Sequence, residues 1–369
     1  MKKKLLMLSV LLAVLMSVPA LAAEDEYEEA PPVVLTYNEA LALAFENLPA
    51  VQDLENRIAE MEEELSDLND EYRLISWLGN REVNNALRRQ ITELNRQIEH
   101  MNLEIEIIKL RREQALISSL VVISNASLDI ETAEASIVIT AEQVRRTGRL
   151  RSFGLASAND LRIVQARLTQ EQTDLDSLLI ARADGIISLN HLLGQPVYQQ
   201  TYVEFERQLP DIPANLTSYI DALIRQAPSI RQMRFDIYRR REELTRHRDF
   251  YREREISPRR DCETCLALRN AYDLILLEND VALRAMGTAL RAAFSSLEQL
   301  QNQESVARLN LSQAEEALQT AQTNFELGIV TQFEIDQAMF SIFSARQAIE
   351  RILNLQWGLA LSLANPVLL

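Results

Sequence analysis

Hydrophobic residues recur along this chain at alternating steps of three and four, the spacing that places them along one side of an α-helix. A first run begins at Val51, and a second run begins at Leu87. Polar residues fill the positions between, so the pattern is typical of helices that pack side by side in coiled coils. The two seams are Val51, Leu54, Ile58, Met61, Leu65, Leu68 and then Leu87, Ile91, Leu94, Ile98, Met101, Ile105, Ile108.

The second seam lies in an exceptionally long stretch without helix breakers. Residues 81–150 contain no proline and only one glycine, Gly148. A helix over this range would be roughly 100 Å long at about 1.5 Å per residue. Helices in globular domains average about 11 or 12 residues. The sequence therefore predicts an elongated molecule.

The chain repeats this plan in its second half. The stretch "ALAFENLPAV" at 42–51 matches "DALIRQAPSI" at 221–230, with Pro49 opposite Pro228. The endings also match, as "LLGQP" at 192–196 and "SLANP" at 362–366. We predict an all-α fold of two tandem repeats, each a long antiparallel helical hairpin. The predicted helices are 36–75, 81–152, 157–193, 216–254, 262–327 and 331–364.

The remaining segments divide the chain further. Residues 1–22 have three lysines, an apolar run and a small-residue end, which is typical of a signal peptide. An acidic leader over 23–34 is expected to be disordered. A first helical repeat over 35–196, a linker over 197–215 and a second repeat over 216–369 complete the division. Hydrophobic and polar residues alternate only weakly in the linker, so no paired strand is expected in it.

Charge and motifs exclude several functions. Removal of residues 1–22 takes away three lysines and no acid, so the formal charge falls from −16 to −19. A chain this acidic is not expected to bind nucleic acid. No phosphate-binding glycine loop or nucleophile motif is present, so neither an enzyme nor a cofactor is expected. Beyond residue 22 there is no uncharged stretch of about 20 residues, so no membrane helix is expected.

Two cysteines form a C-x-x-C motif at Cys262 and Cys265. In an exported protein this pair favours a disulfide, while a redox pair and free thiols stay open. A structural zinc site needs about four ligands. Of the histidines, only His247 is close in sequence, so no metal site is expected.

Two glycines occupy matching settings, in "RSFGLASANDLR" at 151–162 and "FELGIVTQFEID" at 325–336. Glycine suits the left-handed residue that follows a helix end. A hydroxyl residue three positions later can cap the returning helix, and an acid three further on completes a capping box. The apolar residues between glycine and cap are expected to be exposed, which indicates either an ordinary turn or a docking surface. The tip residues are Gly154, Leu155, Ser157, Asp160 in the first turn and Gly328, Ile329, Thr331, Glu334 in the second.

These turns, with "LTYNEALALAFENLPAV" near the start and "AEEALQTAQTNFELGIVTQFEIDQAMFSIFSARQAI" near the end, resemble the TolC-type outer-membrane efflux family. The resemblance covers nearly the whole chain beyond residue 22. It implies a homotrimer whose six tips form one end of a hollow helical cylinder. It also implies that the tips meet a periplasmic adaptor protein, which connects to an inner-membrane transporter.

The chain departs from the family at both ends. Arg151 stands at the aromatic position of the first tip, where Phe325 fills the place in the second, and Gln337 stands where the family has a further acid. At the opposite end the family inserts two barrel strands into each repeat. A spanning strand needs about 9–11 residues. The connections at 74–82 and 252–265 are too short, so we expect the barrel to be absent. Trp77 in the first connection either packs in the turn or contacts lipid.

We therefore predict a non-enzymatic, exported, trimeric helical conduit of the cell envelope that acts in efflux. An alternative is a structural or adaptor-like coiled-coil protein of the envelope without a channel. A further alternative is an exported enzyme, against which the missing motifs count.

The two tip acids give a first testable prediction. In a trimer Asp160 and Glu334 bring six carboxylates to one mouth, where they attract cations. The double variant Asp160→Asn, Glu334→Gln should change the ion selectivity of the pore or its affinity for an adaptor. Unchanged values of both quantities would contradict this role.

Overall fold

The computed structural model describes residues 32–77, 81–207, 215–253 and 263–364. The predicted signal peptide, most of the leader and Cys262 lie outside these ranges. The described residues form eight helices and two short strands, which confirms the all-α fold. The elements are β1 (Val33–Thr36), α1 (Tyr37–Glu46), α2 (Pro49–Ser76), α3 (Arg81–Ser152), α4 (Ala158–Leu193), β2 (Thr201–Glu204), α5 (Leu216–Gln226), α6 (Pro228–Glu253), α7 (Glu263–Glu326) and α8 (Gln332–Ala364).

Helix α3 is the longest element, with 72 residues. One half of α3 packs against α2 and α6, and the other half packs against α4 and α8, while α7 packs against α6 and α8. The helices therefore lie side by side, in the order α2, α3, α6, α7 in one half and α4, α3, α8, α7 in the other. No packed interface joins α4 to α7 in the described chain, so the layer is open at both edges. By length and composition alone, α3 also contains one segment apolar enough to cross a membrane, of which 33% is buried in the protein.

The first predicted helix of each repeat is broken, so the continuous helices over 36–75 and 216–254 are wrong in this respect. Helix α1 ends before Asn47 and α2 begins at Pro49, and Ala227 separates α5 from α6, which begins at Pro228. Proline has no N–H to donate, and it disfavours helical dihedrals in the residue before it. Each proline instead occupies the first position of a new helix, where no donor is required.

The two strands correct the predicted leader and linker. β1 pairs with β2 in parallel, from Val33 opposite Thr201 to Thr36 opposite Glu204. The leader therefore does not extend to residue 34, and the linker does contain a paired strand. The fully buried Asn190 holds the start of β2 in place, because its side-chain amide donates to the carbonyls of Val197 and Gln199 and its oxygen accepts from the Thr201 hydroxyl.

The short elements gather halfway along the long helices and form a belt. In the belt α1, the strands and the end of α4 pack on the middle of α3, and Trp357 of α8 joins them. The Trp357 ring stacks on Phe205 at 4.3 Å and meets the edge of Tyr37 at 5.9 Å. The belt therefore connects the last helix of the second repeat to the first repeat. Its buried residues are Ala40, Ala44, Leu116, Ile117, Leu120, Leu189, Leu193 and Trp357.

A half-buried cation, Arg112, holds two helix ends together in the belt. The guanidinium of Arg112 donates to the carbonyls of Leu192 at 2.6 Å and Ala44 at 3.4 Å. These carbonyls belong to the last turns of α4 and α1, which have no partner within their own helices and carry partial negative charge. Burial lowers the pKa of Arg112. Asn47 reinforces the contact, because its amide donates to the carbonyls of Leu43 and Leu193.

Helix α8 approaches α3 closely where it presents Gly358. A Cβ on Gly358 would lie 2.8 Å from Cγ2 of Val121. Valine in a helix has one strongly preferred rotamer and cannot easily move aside. Glycine at this position therefore sets the distance between the two repeats at the belt.

This close approach predicts a difference between two glycine variants. Gly358→Ala should be less stable than Gly148→Ala by about 1–3 kcal/mol, because only the first overpacks the α3–α8 contact. Gly148→Ala is the matched control, since a Cβ there meets nothing within 4 Å. Both variants gain the same helix propensity. Urea unfolding followed by circular dichroism measures the free energies, and equal values would contradict the close contact.

Candidate docking surface at the hairpin tips

Both glycine turns end their long helices in the same way. Gly154 and Gly328 have φ of +74° and +71°, the left-handed region that side chains disfavour. The amide of Gly154 donates to the carbonyl of Arg151, and the next amide, of Leu155, donates to that of Leu150. The second turn repeats both bonds, from Gly328 to Phe325 and from Ile329 to Asn324. This pattern is a Schellman motif, and it satisfies carbonyls that the helix leaves free.

The predicted caps differ between the two turns. Ser157 and Asp160 form a complete capping box, in which the Asp160 amide donates to the Ser157 hydroxyl at 3.1 Å and the Ser157 amide donates to the carboxylate at 2.8 Å. In the second turn the Thr331 amide and hydroxyl both donate to the Glu334 carboxylate. The Glu334 amide donates to the Thr331 carbonyl instead of its hydroxyl.

These bonds favour the ionised form of both tip acids. The hydrogen bond from the Ser157 amide lowers the pKa of Asp160, and the bond from the Thr331 amide lowers the pKa of Glu334. The nearby Arg146 lowers the pKa of Glu334 further. Each carboxylate therefore holds a helix start as well as contributing charge.

The apex of each turn exposes apolar side chains. Leu155 is 75% exposed and Ile329 is 68% exposed, as the sequence predicted. Ala156 and Val330, also expected to be exposed, are half-buried. Sequence reasoning missed Phe153 and Leu327, which are 77% and 68% exposed. Their position directly before each glycine was the available signal. The tip surface is defined here as Phe153, Leu155, Leu327 and Ile329 with the capping residues Ser157, Asp160, Thr331 and Glu334.

The two tips lie at the same end of the molecule. Arg146 of α3 donates to the Thr331 hydroxyl at 3.4 Å, and its guanidinium lies 5.4 Å from the centre of the Phe333 ring. Farther from the tips, Gln347 donates to Glu131, and Asn354 donates to Asn125. These contacts show that α3 and α8 run antiparallel along their shared length. The prediction that both tips point the same way is confirmed.

The opposite end has short connections. Four residues separate α2 from α3 and nine separate α6 from α7, whereas two spanning strands need about 18 residues. Trp77 is 78% exposed, so the interpretation that it packs in the turn is wrong. Cys265 is half-buried, but Cys262 lies outside the described residues, so the disulfide stays a prediction.

Known structures provide the decisive comparison. No protein-family model and no curated protein sequence matches the chain. Among solved structures, the chain resembles the outer membrane protein VceC of Vibrio cholerae, with 12% identity, a TM-score of 0.62 and coverage of 89% of this chain and 94% of that one. The CmeC outer membrane channel of Campylobacter jejuni gives 12% identity, a TM-score of 0.60 and coverage of 95% and 93%. CusC, whose structure is described in connection with transmembrane channel formation, gives 13% identity, a TM-score of 0.64 and coverage of 94% of this chain and 96% of that one.

The chain has the fold of these outer-membrane channels. The TolC-type resemblance that the tip motifs and repeats indicated is therefore confirmed at the level of the fold. Because the alignments cover almost all of each solved chain, the TolC-type fold includes both hairpins and the belt.

The caps predict a pH dependence. Because the folded pKa values are depressed, the stabilisation by both carboxylates is complete above their ordinary values of 3.8 and 4.5 and is lost as pH falls through the folded values. Asp160→Asn with Glu334→Gln should therefore be less stable than the parent at pH 6, and this difference should shrink toward pH 3. Urea unfolding at both pH values measures it. Glu316→Gln, which removes a carboxylate outside the caps, is the control. A stability difference between the double variant and the parent that stays constant with pH would contradict the stabilising role of the capping carboxylates.

Proposed function

We propose that the protein is an exported, non-enzymatic, trimeric helical conduit of the cell envelope, near the outer membrane, that acts in efflux. The observation that carries this proposal is the open layer of long helices with both tips at one end. The structural neighbours include the CmeC outer membrane channel, which supports a transport role.

The edges of the layer support a ring of identical copies. On α4, Ile163 and Ile180 are 59% and 64% exposed, and on α7, Val306 and Leu309 are each 58% exposed. The two edges differ in sequence, and we infer that one edge of a copy contacts the other edge of the next. Such head-to-tail contacts close into a ring when the rotation permits. The number of three follows from the TolC-type resemblance.

The described helices form a layer that is one helix thick. A layer one helix thick cannot bury both of its faces, and a ring of such layers encloses a hollow centre. A sealed coiled-coil rod, the structural alternative, would bury its seams within one chain.

The tips are the proposed docking surface for a periplasmic adaptor, which links the conduit to an inner-membrane transporter. Four apolar side chains are exposed at the apex, where ordinary turns are polar. The left-handed glycines hold these side chains in fixed positions. The partner-binding residues are Gly154, Leu155, Ser157, Asp160, Gly328, Ile329, Thr331 and Glu334.

The assembly predicts a mass that an edge variant should change. Light scattering should give about three times the monomer mass, and electron microscopy should show a hollow ring. Val306→Glu with Leu309→Glu should reduce the mass to that of the monomer, because each charge would enter an apolar contact.

The matched control is Val122→Glu with Val138→Glu. These side chains are 51% and 65% exposed on α3, which lies inside the layer instead of at its edge. The control should keep the mass of the assembly. A monomeric parent protein would rule out the conduit and favour the structural coiled coil.

A further inference from the structure

The two tips carry opposite charge although their turns are nearly identical. Aligned on Gly154 and Gly328, the windows 142–162 and 316–336 have net charges of +3 and −4. The second window contains no lysine or arginine. The charged residues are Glu142, Arg145, Arg146, Arg149, Arg151, Asp160, Arg162 in the first tip and Glu316, Glu326, Glu334, Asp336 in the second.

The positive charge of the first tip is open to solvent. Arg145 and Arg149 both contact one acid, Glu142, at 2.8 Å and 3.0 Å, and they remain 68% and 69% exposed. Arg151 is exposed and has no ion pair within the described chain. One carboxylate cannot neutralise three guanidinium groups, so a positive surface flanks Phe153 and Leu155.

The negative charge of the second tip is only partly compensated within the described chain, where Arg146 of the first hairpin lies near Glu334. Glu316 and Glu326 are exposed, while Glu334 is held by its own cap and Asp336 accepts from Gln332. Arg146 is the cation that reaches this tip from the first hairpin, and it bonds to Thr331. A negative surface therefore flanks Leu327 and Ile329.

We propose that the tips form a bipolar docking surface, on which the first tip binds an acidic segment of the partner and the second tip binds a basic segment. The partner class, a protein that presents helical hairpins, rests on the proposed function. The apolar apex is common to both tips, so charge is the property that distinguishes them. Complementary charges at an interface speed association and fix the register of two partners.

The bipolar surface makes the two docking positions of each copy non-equivalent. Exposed charges act over a Debye length of about 8 Å at physiological salt, so each charge acts mainly on the partner segment nearest to it. A partner displaced by one tip would place like charges together, which disfavours that register. The partner should therefore carry two kinds of contact, one acidic and one basic.

Two designed helical hairpins serve as probes. They share one sequence except at the apex, where one carries three glutamates and the other carries three lysines. Each is immobilised, and binding of the full chain is measured by biolayer interferometry at 50 mM and 500 mM salt. The acidic probe should bind through the first tip and the basic probe through the second, and high salt should weaken both.

Charge-reversal variants assign each probe to a tip. Arg149→Glu with Arg151→Glu should weaken binding to the acidic probe at least tenfold and change binding to the basic probe by less than twofold. Glu316→Lys with Glu326→Lys should do the reverse. The control, Arg284→Glu with Arg291→Glu, changes charge by the same amount as the first variant at exposed sites of α7 away from the tips, and it should leave both probes unchanged. Circular dichroism verifies that each variant is helical.

Other outcomes would overturn the proposal. Equal loss for both probes in either tip variant, or the same loss in the control, would show that net charge and not tip position governs binding. A salt-sensitive doubling of the parent's assembled mass that either tip variant abolishes would identify a second copy, docked tip to tip, as the occupant. These results do not depend on the number of chains in the ring, because each chain carries both tips.

Discussion

Continuous backbone hydrogen bonding along α3 is the constraint on which the rest of the structure depends. It runs through 72 residues because the sequence supplies no proline and a single late glycine to interrupt it. With that helix unbroken, α2 and α6 have a common support in one half, and α4 and α8 have one in the other. A break near the belt would separate these two supports. The contacts that α2, α4, α6 and α8 make with α3 therefore act together only because one helix carries them.

The belt and the tips are held together by different interactions. The belt has a buried core of its own. The Arg112 bonds to the ends of α1 and α4 reinforce it. The tips have no such core, and backbone bonds around Gly154 and Gly328 fix their shape. Because shape is set by the backbone, the exposed side chains there are free to differ between the two copies. The opposite charges of the tips use this freedom.

Most of the long helices and the tips could be predicted from the sequence, but little of the belt could. The predicted span of α3 coincides with the observed one, and the start of α4 differs by one residue, because proline, glycine and capping signals are local. The β1–β2 pairing was missed, since strands of four residues far apart in the chain give no local signal. The role of Arg112 was likewise invisible, because it depends on two helix ends that meet only in the folded chain. The charge difference between the tips, in contrast, could have been found by comparing the repeats.

The two tryptophans of the chain differ in exposure, and this difference affects the intrinsic fluorescence of the protein. Trp357 is 3% exposed and stacked on Phe205, whereas Trp77 is 78% exposed. Fluorescence from Trp77 already arises in water, so it changes little when the protein unfolds. A red shift in the intrinsic emission would therefore come from Trp357, and it would report the separation of the two repeats without any added label.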